Sequence, residues 1–270
     1  MLDMSNVRTH INPGMSVIRT GTVPLPHRLL PVAGDDRDRS QGDAMDGSAD
    51  RADWAASGLV CIRDADLPDA RGIARVHIDS WRATYPGLLP ESYLVNMSEA
   101  ALTPRWARAI LADQIALRKT PRIGRGTLVV VPQPDALVTG DAVRPARNAA
   151  RNGRRRLSPT DSPVKAFASF GEPSARLENF TGGEIFTLYV QSDEQGQGIG
   201  RRLMAEMAKR LIHAGHQHAM LWCLRDNPSR WFYERIGGQP MAERTIRFAG
   251  SNLIEIAYGW DDLVSLSRVE

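Results

Sequence analysis

A short glycine-rich stretch, Gln195-Gly-Gln-Gly-Ile-Gly200, has the residue types and spacing of an anion-binding turn. It follows the β-favouring run Glu184–Val190 and precedes an amphipathic run that ends near Gly215, so the order predicts a strand, a turn and a helix. Unpaired backbone N–H groups at a helix start attract anions, most often phosphate. Arg201 and Arg202, in the first turn of the helix, would oppose the helix dipole of an empty site and therefore favour a bound anion.

Two other interpretations of these glycines remain open. They could simply form a tight turn, or they could belong to a dinucleotide site. A dinucleotide fingerprint has the spacing Gly-x-Gly-x-x-Gly, and counted from Gly196 its third glycine would fall on Arg201. A nucleotide-binding oxidoreductase is therefore the weaker alternative, and the combined pattern favours a phosphate-bearing ligand.

The spacing Gln195-x-x-Gly198-x-Gly200 resembles the loop that binds the acyl-CoA pyrophosphate in the GNAT superfamily of N-acetyltransferases. Leu188-Tyr-Val190 resembles the preceding strand of that family, and the stretch from Asp226 to Gly238 resembles its second CoA-contacting helix. The resemblance runs from about Val60 to Trp260. It implies an enzyme that moves an acetyl group directly from acetyl-CoA to a primary amine of a small molecule or peptide.

The resemblance also implies the cofactor contacts. In relatives the backbone of two strand residues, here Leu188 and Val190, binds the pantetheine amides like an added strand. Asn227 resembles the residue that hydrogen-bonds the pantetheine arm, although capping the following helix would be equally good physics. The pyrophosphate is expected on the loop and the residue after it: Gln195, Gly196, Gly198, Gly200 and Arg201.

Acyl transfer to an amine requires a base for the amine and an acid for the leaving thiolate. Glu184 matches the place of the strand carboxylate that is the base in some relatives; the alternative is a polar strand start. On a strand Glu184 would share a face with Phe186, Leu188 and Val190, so the direction of its side chain depends on which face is buried. Tyr233 matches the tyrosine whose hydroxyl can protonate the CoA sulfur; the alternative is a core residue with a solvated tip.

The stretch Ser80–Leu94 resembles the first helix–loop–helix of one GNAT subgroup, which walls the acceptor pocket in relatives. Trp81 and Tyr85 are four residues apart and share a helix face. Both are candidate substrate contacts. Core packing is the alternative for Trp81, whereas Tyr85, beside the loop, is the better candidate.

Composition sets the broad class. The chain has 270 residues, 42% of them hydrophobic, and a net charge of only +3, which does not by itself argue for nucleic acid. Cys61 and Cys223 lie far apart among apolar neighbours and predict buried thiols in a reducing compartment. No apolar run approaches the length of a membrane span and no secretory signal is evident, so we expect a cytoplasmic protein. The three histidines near the end of the helix, His213, His216 and His218, lack metal-pair spacing, so no metal is predicted.

Composition also divides the chain. Residues 1–57 are rich in breakers and charge and predict a disordered extension, followed by one acetyltransferase domain over 58–270. A low-complexity, arginine-rich insertion spans about 132–163. Its arginines are not interleaved with aromatic residues, so we expect no nucleic-acid partner. A homodimer is a candidate assembly.

The order of segments predicts the fold: strand, helices, three strands, helix, strand, helix, two strands. This order predicts an α/β fold with a GNAT-like mixed, mostly antiparallel sheet of about seven strands flanked by helices. The predicted strands are Leu59–Arg63, Gly126–Val131, Val164–Phe170, Glu184–Val190, Ala219–Leu224, Arg244–Phe248 and Leu253–Trp260. A non-catalytic acyl-CoA-binding module of the same fold is the main functional alternative, and the pairing of Tyr233 with a candidate base weighs against it.

Overall fold

The computed structural model describes residues 60–120, 124–132, 163–173 and 180–268. The extension expected over residues 1–57 and positions 133–162 of the expected insertion lie outside the described residues.

Seven strands form one sheet, in the order β1-β2-β3-β4-β5-β7-β6. All neighbouring strands are antiparallel except β4 and β5, which are parallel. The predicted mixed, mostly antiparallel sheet is therefore confirmed. The strands are β1 (Val60–Asp64), β2 (Gly126–Pro132), β3 (Ala166–Gly171), β4 (Gly183–Val190), β5 (Ala219–Leu224), β6 (Gln239–Phe248) and β7 (Ser251–Trp260).

Six α-helices lie in the described ranges: α1 (Ala70–Thr84), α2 (Glu91–Val95), α3 (Glu99–Lys119), α4 (Ile199–His213), α5 (Arg230–Arg235) and α6 (Leu263–Ser267). On one face of the sheet, Leu203, Met207 and Leu211 of α4 are fully buried in a core that includes α6. On the other face, α1 and α3 bury residues such as Ile73 and Ile110. The predicted apolar stripe of α4 is confirmed.

Two elements differ from those that the sequence predicted: the start of strand β6 and the helix α6. Strand β6 begins at Gln239, five positions before the expected Arg244. It includes Pro240, which is tolerated because β6 is an edge strand with an irregular register there. Helix α6 was not predicted; the Asp262 side chain caps it by accepting from the backbone N–H groups of Val264 and Ser265.

Strands β4 and β5 pair over only two positions, where Gly183 and Glu184 face Ala219 and Met220. Each strand then continues beside its other neighbour, β4 along β3 as far as Val190 and β5 along β7. The two parallel strands therefore diverge towards their carboxyl ends. The glycine-rich loop follows the open end of β4.

A bulge in β4 changes which face Glu184 occupies. Ser169 pairs with Thr187, but the next residue, Phe170, pairs with Ile185, so β4 holds one extra residue at that point. Ile185 packs in the same core cluster as Leu188 and Val190 despite the odd spacing. Because neighbouring strand residues point to opposite faces, Glu184 faces the α1 and α3 side. The expectation that Glu184 shares a face with Leu188 and Val190 is therefore wrong.

Candidate active site

The glycine-rich loop adopts a backbone that glycine favours. Gly196 and Gly198 both have a φ of 76°, in the left-handed region, and Gly198 is the residue immediately before α4. A side chain in that conformation costs roughly 1–2 kcal/mol. A Cβ atom added at Gly196 would meet no heavy atom within 4 Å, so the backbone angle and not crowding within the protein accounts for this glycine.

The loop opens onto a cleft between the end of β4 and helix α5. Arg201 and Arg235 are among the residues that line it, and Phe232 forms part of its wall. The Gln195 side chain ties the loop to the strand, because its Nε2 donates to the carbonyl oxygen of Val190 at 3.1 Å. A cleft with two cations beside a helix N-terminus is suited to a phosphate-bearing ligand. It is lined by Val190, Glu194, Gln195, Gly196, Gly198, Ile199, Gly200, Arg201, Phe232 and Arg235.

Tyr233 lies on α5 with its side chain fully buried. Its ring contacts those of Phe232, Tyr258 and Trp260. Among the described residues its hydroxyl has no hydrogen-bond partner. Burial raises the pKa of Tyr233 well above its usual range, and the thiol of Cys223 adds to that shift. The phenol therefore keeps its proton at neutral pH and is able to act as an acid.

Asn227 lies two residues before Ser229, the N-cap residue of α5, and its side chain makes hydrogen bonds in two directions. Its Oδ1 accepts from the backbone N–H of Ser229 at 2.9 Å, just ahead of α5. Its Nδ2 donates to the hydroxyl of Tyr85 at 3.4 Å. Asn227 therefore links the start of α5 to the end of α1.

Tyr85, the better of the two candidate substrate contacts from the sequence, directly follows the last residue of α1. It is fully buried, and its ring packs edge-on against that of Trp81. Burial raises the pKa of Tyr85 well above its usual range, and the charges or dipoles of Tyr189, Cys223, Tyr233 and Glu255 add to the shift, in that order. Tyr85 therefore lies among the polar groups at the divergence of β4 and β5.

Trp81 is part of the core on the α1 side of the sheet. Its side chain is fully buried, and its Nε1 donates to the hydroxyl of Tyr189 at 2.8 Å. It contacts the rings of His77, Tyr93 and Phe248. This arrangement is the core-packing alternative that the sequence left open for Trp81.

Glu184 is 2% exposed and lies at the closed end of the β4–β5 pair, directly opposite Met220. The structure therefore brings Tyr233, Asn227 and Tyr85 together, while Glu184 lies further along the strands. Leu188 and Val190 lie at the open end, next to the loop.

Comparisons with known proteins agree with this geometry. The model of the FR47-like protein family matches residues 170–247, which include β4, the loop, α4 and α5. The uncharacterized N-acetyltransferase YuaI of Bacillus subtilis (strain 168) is 28% identical over 211 residues, covering 78% of this chain and 98% of the relative. The chain is therefore similar in sequence to the FR47-like family and to an N-acetyltransferase.

Two solved structures of acetyltransferases are similar to this chain. The chain covers 94% of yncA, a putative acetyltransferase from Salmonella typhimurium solved with acetyl-CoA, and 76% of this chain is matched, with 16% identity and a TM-score of 0.50. The ribosomal-protein-S5-alanine acetyltransferase from Vibrio fischeri matches 75% of this chain and 92% of its own, with 17% identity and a TM-score of 0.49. At such identities the likeness concerns the architecture alone.

The sequence interpretation missed Phe232 and Arg235 as residues of the cleft. Both lie in the helix that resembled the second CoA-contacting helix. Their i, i+3 spacing on a short helix next to the loop was the available signal. The described residues contain no group of three or more side chains suited to a metal ion. No helix among them is long and apolar enough to span a membrane.

Proposed function

We propose that this protein transfers an acetyl group from acetyl-CoA to a primary amine of a small molecule or a peptide. The observation that carries the proposal is the divergence of β4 from β5 directly ahead of the left-handed glycine loop. An extended amide-bearing arm can lie along the open edge of β4 while its phosphates reach the loop.

The residues of the cleft fit the cofactor's charged end. Arg201 and Arg235 supply two cations, and Gly196 and Gly198 let the backbone approach an anion closely. Leu188 and the end of β4 are the expected backbone partners of the pantetheine amides. Gln195 fixes the loop against the strand and is a positioning residue.

Tyr233 is the proposed general acid. The reaction forms a bond between the amine nitrogen and the acetyl carbonyl carbon, and breaks the bond from that carbon to sulfur. The sulfur leaves with the electron pair and takes the Tyr233 proton; water then reprotonates the phenol. A buried hydroxyl without a partner costs roughly 1–3 kcal/mol, and a ligand atom that accepts its proton offsets that cost.

Glu184 remains the base that the family resemblance proposes. Its position at the closed end of the strand pair means that a water path would have to carry the amine proton to it. A non-catalytic CoA-binding module is the second candidate, and the same experiment separates the two.

The test measures binding and turnover on one preparation. Calorimetry and thermal unfolding should show stabilisation by CoA and acetyl-CoA, of roughly 2.7 kcal/mol at a hundredfold excess over the dissociation constant. NAD is the control and should give no shift. Stabilisation by NAD and not by CoA would overturn the proposal, whereas CoA binding without amine-dependent thiol release would favour the binding module.

A further inference from the structure

A second buried carboxylate lies on the same face of the sheet as Glu184 but at the other end of β5. Glu255, on β7, has no exposed surface and pairs in register with Leu224, the last residue of β5. Glu184 lies opposite Met220, at the first pairs of that strand. Four residues of strand separate the two levels by about 13 Å.

Glu255 forms a buried ion pair with Arg244, and the position of the Arg244 guanidinium is fixed by a second contact. Arg244, opposite it on β6, places its Nε 2.7 Å from Glu255 Oε2. The same guanidinium stacks over the ring of Trp222, 3.9 Å from the ring centroid. The Arg244 side chain is only 8% exposed, so the ion pair is shielded from water. On average a buried ion pair adds little stability over an apolar pair of similar volume, so stability alone does not account for it.

Glu255 also lies at the strand level that leads to Asn227 and Tyr85. Its in-register partner Leu224 accepts from the backbone N–H of Asn227 at 3.0 Å, and the Asn227 side chain donates to the Tyr85 hydroxyl at 3.4 Å. Base, amine nitrogen, carbonyl carbon, sulfur and acid span roughly 10 Å when each non-bonded step is about 3 Å. A carboxylate at the level of Leu224 meets that limit more readily than one at the level of Met220.

We propose that Glu255, in place of Glu184, binds the ammonium group of the acceptor and takes its proton, with Arg244 as the residue that positions the carboxylate. This inference rests on the proposed function, and it names the acceptor class as amines that are cationic at neutral pH. The amine comes from the α1 face of the sheet, and the thioester reaches it through the gap between β4 and β5. Two N–H bonds break in all. The first proton goes to a Glu255 oxygen, and the freed nitrogen lone pair attacks the carbonyl carbon. The second proton passes from the nitrogen to water as the carbon–sulfur bond breaks, and the sulfur leaves with that electron pair and takes the Tyr233 proton.

The experiment compares variants with four acceptors: n-butylamine, 1,4-diaminobutane, lysine amide and the peptide Ala-Gly-Gly. For each acceptor that the wild type acetylates, Glu255→Gln should lower kcat/KM for the amine at least 100-fold. Its affinity for acetyl-CoA, from calorimetry, should stay within about twofold, because the cofactor contacts lie on other elements. Glu243→Gln is the matched control. It makes the same exchange on β6, at the residue before Arg244, where the side chain is 54% exposed.

A double variant, Arg244→Met with Glu255→Gln, separates chemistry from folding. Replacing both charges removes the penalty of an unpaired buried arginine, so a merely structural role predicts recovered activity. The inference predicts that the double variant folds and stays at least 100-fold impaired. Activity of either folded variant within about threefold of wild type would overturn the inference and leave the proposed function standing.

Two further outcomes would also overturn the inference. If neither variant folds, the ion pair is structural and the inference is overturned. If the wild type binds acetyl-CoA but acetylates none of the four amines, the amine-transfer proposal fails and this inference fails with it.

Discussion

Replacing Gly196 by alanine should have two effects that can be measured separately. The strained backbone should lower the stability of the protein, and the added methyl group should weaken the binding of CoA. The residue has a φ of 76°, and an added Cβ would meet no atom within 4 Å. The change therefore costs the folded protein only its conformational strain, roughly 1–2 kcal/mol. For a domain of this size that corresponds to a melting temperature lowered by roughly 2–8 °C.

Gly215, just after α4, supplies the matched control. Its φ is 99°, and an added Cβ there also meets nothing within 4 Å. Gly215→Ala should therefore lower the melting temperature by a similar amount while leaving the affinity for CoA unchanged.

Calorimetric titration with CoA is the assay. Gly196→Ala should weaken CoA binding at least tenfold, about 1.4 kcal/mol, because the new methyl group lies where phosphate approaches the loop. Wild-type affinity in Gly196→Ala, with the expected loss of stability, would refute the placement of the phosphate site.

Three further predictions concern Tyr233, Trp81 and Ala249. Tyr233→Phe should lower kcat at the lower end of the 10²–10⁴-fold range while acetyl-CoA affinity changes little, because the proton is needed only in the transition state; turnover within about twofold of wild type would remove Tyr233 from the mechanism. Trp81→Phe should lower the free energy of unfolding by roughly 2–4 kcal/mol, because it leaves a cavity and removes the hydrogen bond to the Tyr189 hydroxyl, whereas Trp231→Phe, at a residue 52% exposed, should stay within about 0.5 kcal/mol; equal effects in denaturant titrations would contradict the burial of Trp81. Ala249→Asn should stabilise the protein by roughly 0.5–1 kcal/mol, because Ala249 and Gly250 both have positive φ in a two-residue hairpin that suits Asn-Gly; a lower melting temperature would contradict this assignment of the turn.

The sequence predicted most of the fold because its signals are local. The apolar run Ala219–Leu224 and the stripe of α4 each show a period that burial imposes, and both are confirmed. The glycine loop was predictable for the same reason, since a strand, glycines and a helix in order have few other interpretations. Helix α6 was missed because five residues are too few to show a period.

Longer-range features of the site were not predictable. The bulge that moves Glu184 to the other face depends on how β4 pairs with β3, which no local pattern reveals. The burial of Tyr85 depends on a contact with Asn227 across 142 positions of the chain. Glu255 gave no signal at all, because a carboxylate in an alternating strand usually faces solvent and only the packed sheet shows it buried.

Amine-dependent release of thiol from acetyl-CoA tests the central claim most directly. The wild-type protein is incubated with acetyl-CoA and each amine, free thiol is followed continuously, and the amine product is identified by mass. The account predicts thiol release that requires both the protein and an amine, matched mole for mole by the N-acetylated product. Acetyl-CoA binding with no amine-dependent release, or release without any acetylated amine, would contradict it.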